Sequence, residues 1–313
     1  MKIQISFSTR CNINCKFCLR KVLRDRYNYI ENIDMEIEVA KKVLDQGVKK
    51  LFICGNKGEA IFHPQIDDIL KYAKEKGIII DFITNAYYKS PQWWADLAKL
   101  FIDIGDTVTF PLDGVGNKIH NRHRGSDFYT VLRNIESFIN AGGNAIWKFI
   151  KFEHNQHQAE LARTLSKEIG CYQFVLMNSH TYDSELREPT DGKVWTVKNI
   201  TDEAVQECDY LPCEDKTYYV STRGLLFPCC FIANIFSHKP MIDHHYERNF
   251  VKIFNDEKDL LDLRNNSIEY IVKNSEFFKQ AYTKNSHICK QACLKWTRNM
   301  IIERKDDDNI TLL

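Results

Sequence analysis

Lys2-Ile3-Gln4-Ile5-Ser6-Phe7-Ser8 leads, two residues on, into Cys11-Asn12-Ile13-Asn14-Cys15-Lys16-Phe17-Cys18. The first stretch reads as a short apolar strand, and the second places three thiols in eight residues, so one loop can wrap a single metal cluster. Three ligands fill three irons of a [4Fe–4S] cubane, whereas electron-transfer clusters normally have all four irons capped by cysteine. The remaining open iron can then be chelated by a small molecule. A zinc ion with a distant fourth ligand satisfies the same three cysteines.

Working outward, short apolar runs alternate with amphipathic stretches. Helices are expected over 36–46, 66–76, 92–101, 129–140 and 158–169, and strands over 50–54, 78–84, 107–112, 145–152 and 173–177. This alternation implies parallel strands joined by helical crossovers. With the first strand it predicts an α/β fold, a partial (β/α)6 TIM-like barrel over residues 1–200. In such folds the loops after the C-terminal strand ends carry the site. Here those loops are Cys11 to Cys18, Gly55 to Glu59, Thr84-Asn85, Asp113-Gly114 and the segment Glu153 to His157. Histidines in that last segment are read as caps or solvent-facing residues. From about Ser179 to Asp209 the pattern dissolves into polar and turn-forming residues, and a smaller domain is expected over 201–313, with a strand at 217–221 and a solvated tail at Asp306-Asp307-Asp308.

Forty-three Lys and Arg balance forty-two Asp and Glu, a net charge of +1, so no global field favours nucleic acid or an anionic membrane surface. No apolar run approaches the length of a membrane span, and the start has no secretion signal. Eleven cysteines, an odd number, are better explained by metal in a reducing compartment than by disulfides, which places the protein in the cytoplasm.

The cysteine loop, with Phe17 just before the last thiol, resembles the radical S-adenosylmethionine (SAM) superfamily. The resemblance implies a [4Fe–4S] cluster on Cys11, Cys15 and Cys18 whose open iron takes the amino and carboxylate groups of SAM. Cys54-Gly55-Asn56-Lys57-Gly58-Glu59 resembles that family's glycine-rich loop after the second strand, with Ala60 where a proline is common. By that likeness Gly55, Gly58 and Glu59 lie at the SAM amino group. Phe110-Pro111-Leu112-Asp113-Gly114 and His120-Asn121-Arg122-His123-Arg124 resemble the segment that peptide-modifying relatives write S-[IL]-D-G and H-D-x-x-R, with Pro111 in place of the serine. The resemblance assigns Arg124 to the SAM carboxylate, with Arg122 as the competing candidate.

Cys213, ten residues, Gly224, four residues and Cys229 are similar to the opening half of the SPASM cysteine pattern, with Cys289 and Cys293 later. A shortened, twitch-type iron–sulfur domain follows from the likeness, with one auxiliary [4Fe–4S] cluster on Cys213, Cys229, Cys289 and Cys293. Cys208 or Cys230 substituting for a ligand, a zinc site, and a cluster with one iron open to substrate remain alternatives. Cys54 and Cys171 read as ordinary buried thiols.

The chemistry implied is reductive cleavage of SAM to a 5′-deoxyadenosyl radical and hydrogen abstraction from a substrate, with electrons from a flavodoxin- or ferredoxin-type donor. The first expectation is oxidative modification of a peptide or protein side chain. Against it stands the first strand at residue 2, which leaves no leader-binding module ahead of the barrel. The alternative is dehydrogenation of a small-molecule alcohol, a sugar or aminocyclitol. From another class, a non-enzymatic iron–sulfur or zinc protein would also use these cysteines.

Overall fold

A computed structural model describes residues 1–179, 181–191, 217–236, 248–281 and 300–304. The chain forms two compact units, each gathered from separated segments: Met1–Arg10, Leu23–Ile80 and Gln206–Leu294 in the first, Cys11–Val22, Asp81–Val205 and Lys295–Leu313 in the second. The boundary expected near residue 200 lies outside the described residues, as do Cys208, Cys213, Cys289, Cys293 and the acidic tail.

In the first unit β1 (Lys2–Ile5) is the central strand. It pairs in parallel with β2 (Lys50–Ile53), Ile3 opposite Leu51, and on its other side in parallel with β7 (Thr217–Val220), Ile3 opposite Tyr218. Strand β8 (Leu226–Phe227) runs antiparallel to β7. The turn between them uses Gly224 at φ +77°, a backbone that costs glycine no Cβ clash. The strand order is β8-β7-β1-β2, continuing to β3 (Ile79–Ile83). Ile3, Ile5, Leu51 and Ile53 are fully buried; helix α2 (Ile37–Leu44) buries Val39 and Val43, and α3 (Ile66–Glu75) buries Ile66, Ile69 and Ala73. That 3–4 spacing is the apolar stripe of a surface helix.

Among the described residues of this unit four further helices follow β8: α8 (Cys230–Phe236), α9 (Arg248–Asp256), α10 (Ile268–Asn274) and α11 (Glu276–Ala281). Their core is aromatic. Phe250 stacks on Phe277 at 4.8 Å between ring centroids, Phe236 meets Phe254 at 4.8 Å, and Phe227 meets Phe254 at 5.6 Å.

In the second unit Asp81–Ile83 of β3 pair in parallel with β4 (Thr107–Pro111), β4 with β5 (Ala145–Lys151) and β5 with β6 (Gln173–Asn178), and β9 (Met300–Arg304) runs antiparallel to β6. Helices α4 (Pro91–Leu100), α5 (Asn117–His120), α6 (Phe128–Asn140) and α7 (Ala159–Glu168) supply the crossovers. Ser90 caps α4 through its hydroxyl, and Asp127 caps α6, accepting from Thr130 N at 2.8 Å. Trp94, Phe110, Phe138 and Trp147 form the core, Trp94 edge-on to Phe110 at 5.4 Å. The mixed α/β class and the parallel sheet are as expected. Helix α1 (Leu19–Tyr27) was not: its LRKVLRDRY sequence buries Leu23 alone and carries no apolar stripe to read. Among the described residues no helix is long and apolar enough to cross a membrane.

Candidate functional site

The three-cysteine loop is held in the second unit by its backbone. Lys16 N donates to His123 O at 3.0 Å, Cys18 N to Cys15 O at 3.2 Å, and Val22 N to Cys18 O at 3.0 Å. Gly125 lies against the loop so closely that a Cβ there would stand 2.9 Å from Asn14 N. Asn85, in the loop after β3, donates to Cys11 Sγ at 3.5 Å and to Asn12 Oδ1 at 3.2 Å. All three thiols are partly exposed and in no disulfide.

Asp113, two residues beyond β4, is the fully buried hub of this site. Its Oδ1 accepts from Ile150 N at 2.7 Å, and its Oδ2 accepts from His123 Nδ1 at 2.6 Å and from Arg124 Nε. Burial by itself raises the Asp113 carboxyl, but Arg124 and His123 more than reverse this and hold it well below the usual carboxylate range. Burial pushes His123 down, so a neutral ring donates from Nδ1. Arg124 also reaches the Cys15 thiol. Burial pushes that thiol up, and the guanidinium opposes the shift by favouring the thiolate.

The hub has its own support. Asp113 N donates to His120 Nδ1 at 3.3 Å, so His120 Nε2 carries the proton it gives Ser126 Oγ at 2.8 Å. Asn155 donates to Asp113 O and Ile150 O, each at 2.9 Å, and accepts from Phe152 N at 2.7 Å. Asn155, read from sequence as part of a mouth-lining segment, is therefore a positioning residue. Phe17 packs against His123 and Phe152, each at 6.2 Å, and His154 stacks on Phe152 at 5.6 Å. Burial pushes His154 down to about 4. Lys151, buried at the end of β5, is paired with Asp191 at 3.1 Å.

In the first unit the loop after β2 is packed on protein backbone. A Cβ on Gly55 would overlap Gly58 O, and one on Gly58 would overlap Ser8 O and stand 2.5 Å from Thr9 Cα. Gly55 thus lets the loop close on itself, and Gly58 lets it pass against residues 8 and 9. Buried Glu59 donates its N–H to Arg10 O at 2.7 Å, the residue that precedes Cys11 in sequence. His63 is structural, with Nε2 2.6 Å from Met35 O and Nδ1 accepting from Gln65 N. Asn56 donates to Cys230 O at 3.4 Å. Cys229 and Cys230 are partly exposed and in no disulfide, Cys54 is half-buried, and Cys171 is buried as expected. His123, His120, Ser126 and Gly125 had no role from sequence alone; for His123 the signal was present, since it adjoins Arg124 in the quoted segment.

Among the described residues no three His, Cys, Asp or Glu side chains are placed to share one ion. A cubane, in which each thiolate takes a different iron, needs no such convergence, and soft thiolates suit iron–sulfur chemistry.

A profile of the Radical SAM superfamily matches residues 5–167. The tungsten-containing aldehyde ferredoxin oxidoreductase cofactor-modifying protein of Pyrococcus furiosus is 27% identical over 115 residues, 36% of this chain and 30% of that protein. The aligned part thus spans under a third of this curated relative. Streptococcus suis SuiB bound to S-adenosylmethionine superposes with a TM-score of 0.61 at 16% identity, over 91% of this chain and 69% of that one. SuiB bound to precursor peptide SuiA gives 0.61 at 17%, over 91% and 68%. The structure of anSMEcpe with bound AdoMet gives 0.58 at 15%, over 99% and 93%. At these identities the likeness is one of fold.

Proposed function

This chain belongs to the radical SAM superfamily, and from that premise we propose that it is a peptide- or protein-modifying oxidoreductase. Membership implies a [4Fe–4S] cluster and SAM. When bound, they supply reductive cleavage of SAM to methionine and a carbon-centred radical able to abstract a substrate hydrogen.

The observation that carries the proposal is the anchorage of the cysteine loop to the Asp113–His123–Arg124 group, which places a buried guanidinium against Cys15. Cys11, Cys15 and Cys18 would hold three irons and leave the fourth for SAM. Arg124 keeps Nε on Asp113 and would offer its remaining N–H groups to the SAM carboxylate, a fork suited to it. Phe17 would give an apolar edge beside the loop, and Glu59, on a loop whose form Gly55 and Gly58 permit, would take the SAM ammonium.

The peptide reading draws support from the fold it shares with SuiB, which is bound to a precursor peptide in one structure. An auxiliary [4Fe–4S] cluster on Cys213, Cys229, Cys289 and Cys293 would accept the electron that an oxidation releases, and a small redox protein would supply the reducing electron. A cytoplasmic setting suits such oxygen-sensitive groups.

The test is anaerobic incubation of reduced, iron-loaded protein with SAM and a deuterated peptide. The expected result is 5′-deoxyadenosine carrying deuterium; zinc in place of iron in the Cys11–Cys18 loop would sink the reading.

A further inference from the structure

Serine and threonine hydroxyls, a lysine, and an acid already paired to arginine line a cavity of about 40 Å³ where β1, β2 and β7 end. Ser6 and Thr9 follow β1, Lys57 follows β2, and Ser221 and Thr222 follow β7; Phe227 and Phe254 close its floor. All belong to the first unit. A water needs roughly 10–15 Å³ by this measure, so the space suits one small polar head and not a ring.

The charges in the cavity are unequal. Glu31 is engaged by Arg223, whereas the Lys57 ammonium has no hydrogen-bond or ion-pair partner among the described residues. With Lys57 and Arg223 positive and Glu31 negative, one positive charge stands uncompensated in a partly desolvated place. Burial pushes Lys57 down to about 8, with Arg223 adding to the shift and Glu31 opposing it.

We propose that this cavity is a carboxylate-binding subsite in which Lys57 receives an acidic group of the substrate. One planar carboxylate group, the rest of its molecule lying outside the cavity, matches the one spare cation, whereas a phosphate dianion puts more charge into the cavity than the site compensates. Assigning the carboxylate to the substrate rests on the function proposed above; its binding does not.

The experiment is trace acetylation of lysines in the full-length, anaerobically purified protein, read residue by residue by mass spectrometry with succinate, succinamide or inorganic phosphate added. A bound carboxylate raises the Lys57 pKa, and each unit of rise cuts its reactive free amine about tenfold. Succinate is expected to lower Lys57 labelling about tenfold while leaving exposed Lys99 unchanged, and succinamide to do nothing. Protection by phosphate but not succinate, equal protection by succinamide, or no protection at all would overturn the subsite. Production of 5′-deoxyadenosine is measured on the same preparation. Cleavage without Lys57 protection overturns the subsite and leaves the enzyme reading standing; protection without cleavage does the reverse.

Discussion

Asp113 Oδ2 and His123 Nδ1 lie 2.6 Å apart, both buried, and this bond fixes the imidazole tautomer, with the proton on Nδ1 and the lone pair on Nε2. Since the same oxygen receives Arg124 Nε, one carboxylate orients two side chains, of which Arg124 reaches Cys15.

Asp113→Asn is therefore expected to leave Arg124 as a buried cation without its counter-charge, at a cost of about 3 kcal/mol or more. Urea denaturation of the purified variant measures it. A loss below roughly 1 kcal/mol, the scale of a surface pair, would show that the hub is dispensable.

Acid should weaken the fold in two stages. Burial holds His120 down to about 4 against an ordinary 6.5, so between these values the unfolded chain binds a proton that the folded chain refuses. Stability is then full above pH 6.5 and falls as pH drops toward 4, by at most about 1.4 kcal/mol per pH unit for this group. Asp113 acts in the same direction at lower pH: its depressed pKa contributes stability above roughly pH 4 that is lost on further acidification. Denaturation series on wild type and His120→Gln check the first stage, where the variant should show the shallower slope.

Cys15→Ala is expected to lose the loop's iron and abolish SAM cleavage. By contrast Cys293→Ala, at a residue outside the described set, is expected to keep uncoupled cleavage and lose product. Iron analysis and 5′-deoxyadenosine assays read both, and an unimpaired Cys15 variant would contradict the cluster assignment.

Gly58→Ala would force a methyl onto the Ser8–Thr9 backbone, which cannot rotate away like a side chain. The expected cost is about 1–3 kcal/mol, with SAM binding by equilibrium dialysis weakened about tenfold as the loop carrying Glu59 shifts. Wild-type affinity and stability in this variant would mean that the loop tolerates a different path.

Much of the strand and helix order was legible because each element carries its own period. Thr107–Pro111 and Ala145–Lys151 announce themselves by apolar and branched residues, and α3 by its 3–4 spacing. Partners were less legible. Nothing local in Thr217–Val220 says that it lies beside residues 2–5, because pairing is decided by tertiary burial. Likewise the Asp113 motif was visible while its function as a hub was not, since Ile150, Asn155 and Arg124 meet it only through folding. The glycines of the second loop were legible as a place where backbone must come close, but not that Gly55 closes on Gly58 O and Gly58 on Ser8 and Thr9, contacts that only folding creates.

The seating of β7 against β1, Lys2 opposite Thr217, has a temporal meaning. On the ribosome, the strand over residues 2–5 waits for residues 217–220 to emerge before its second edge is covered, a closure of long sequence span and correspondingly slow. That edge of the strand therefore stays open throughout the synthesis of the intervening residues.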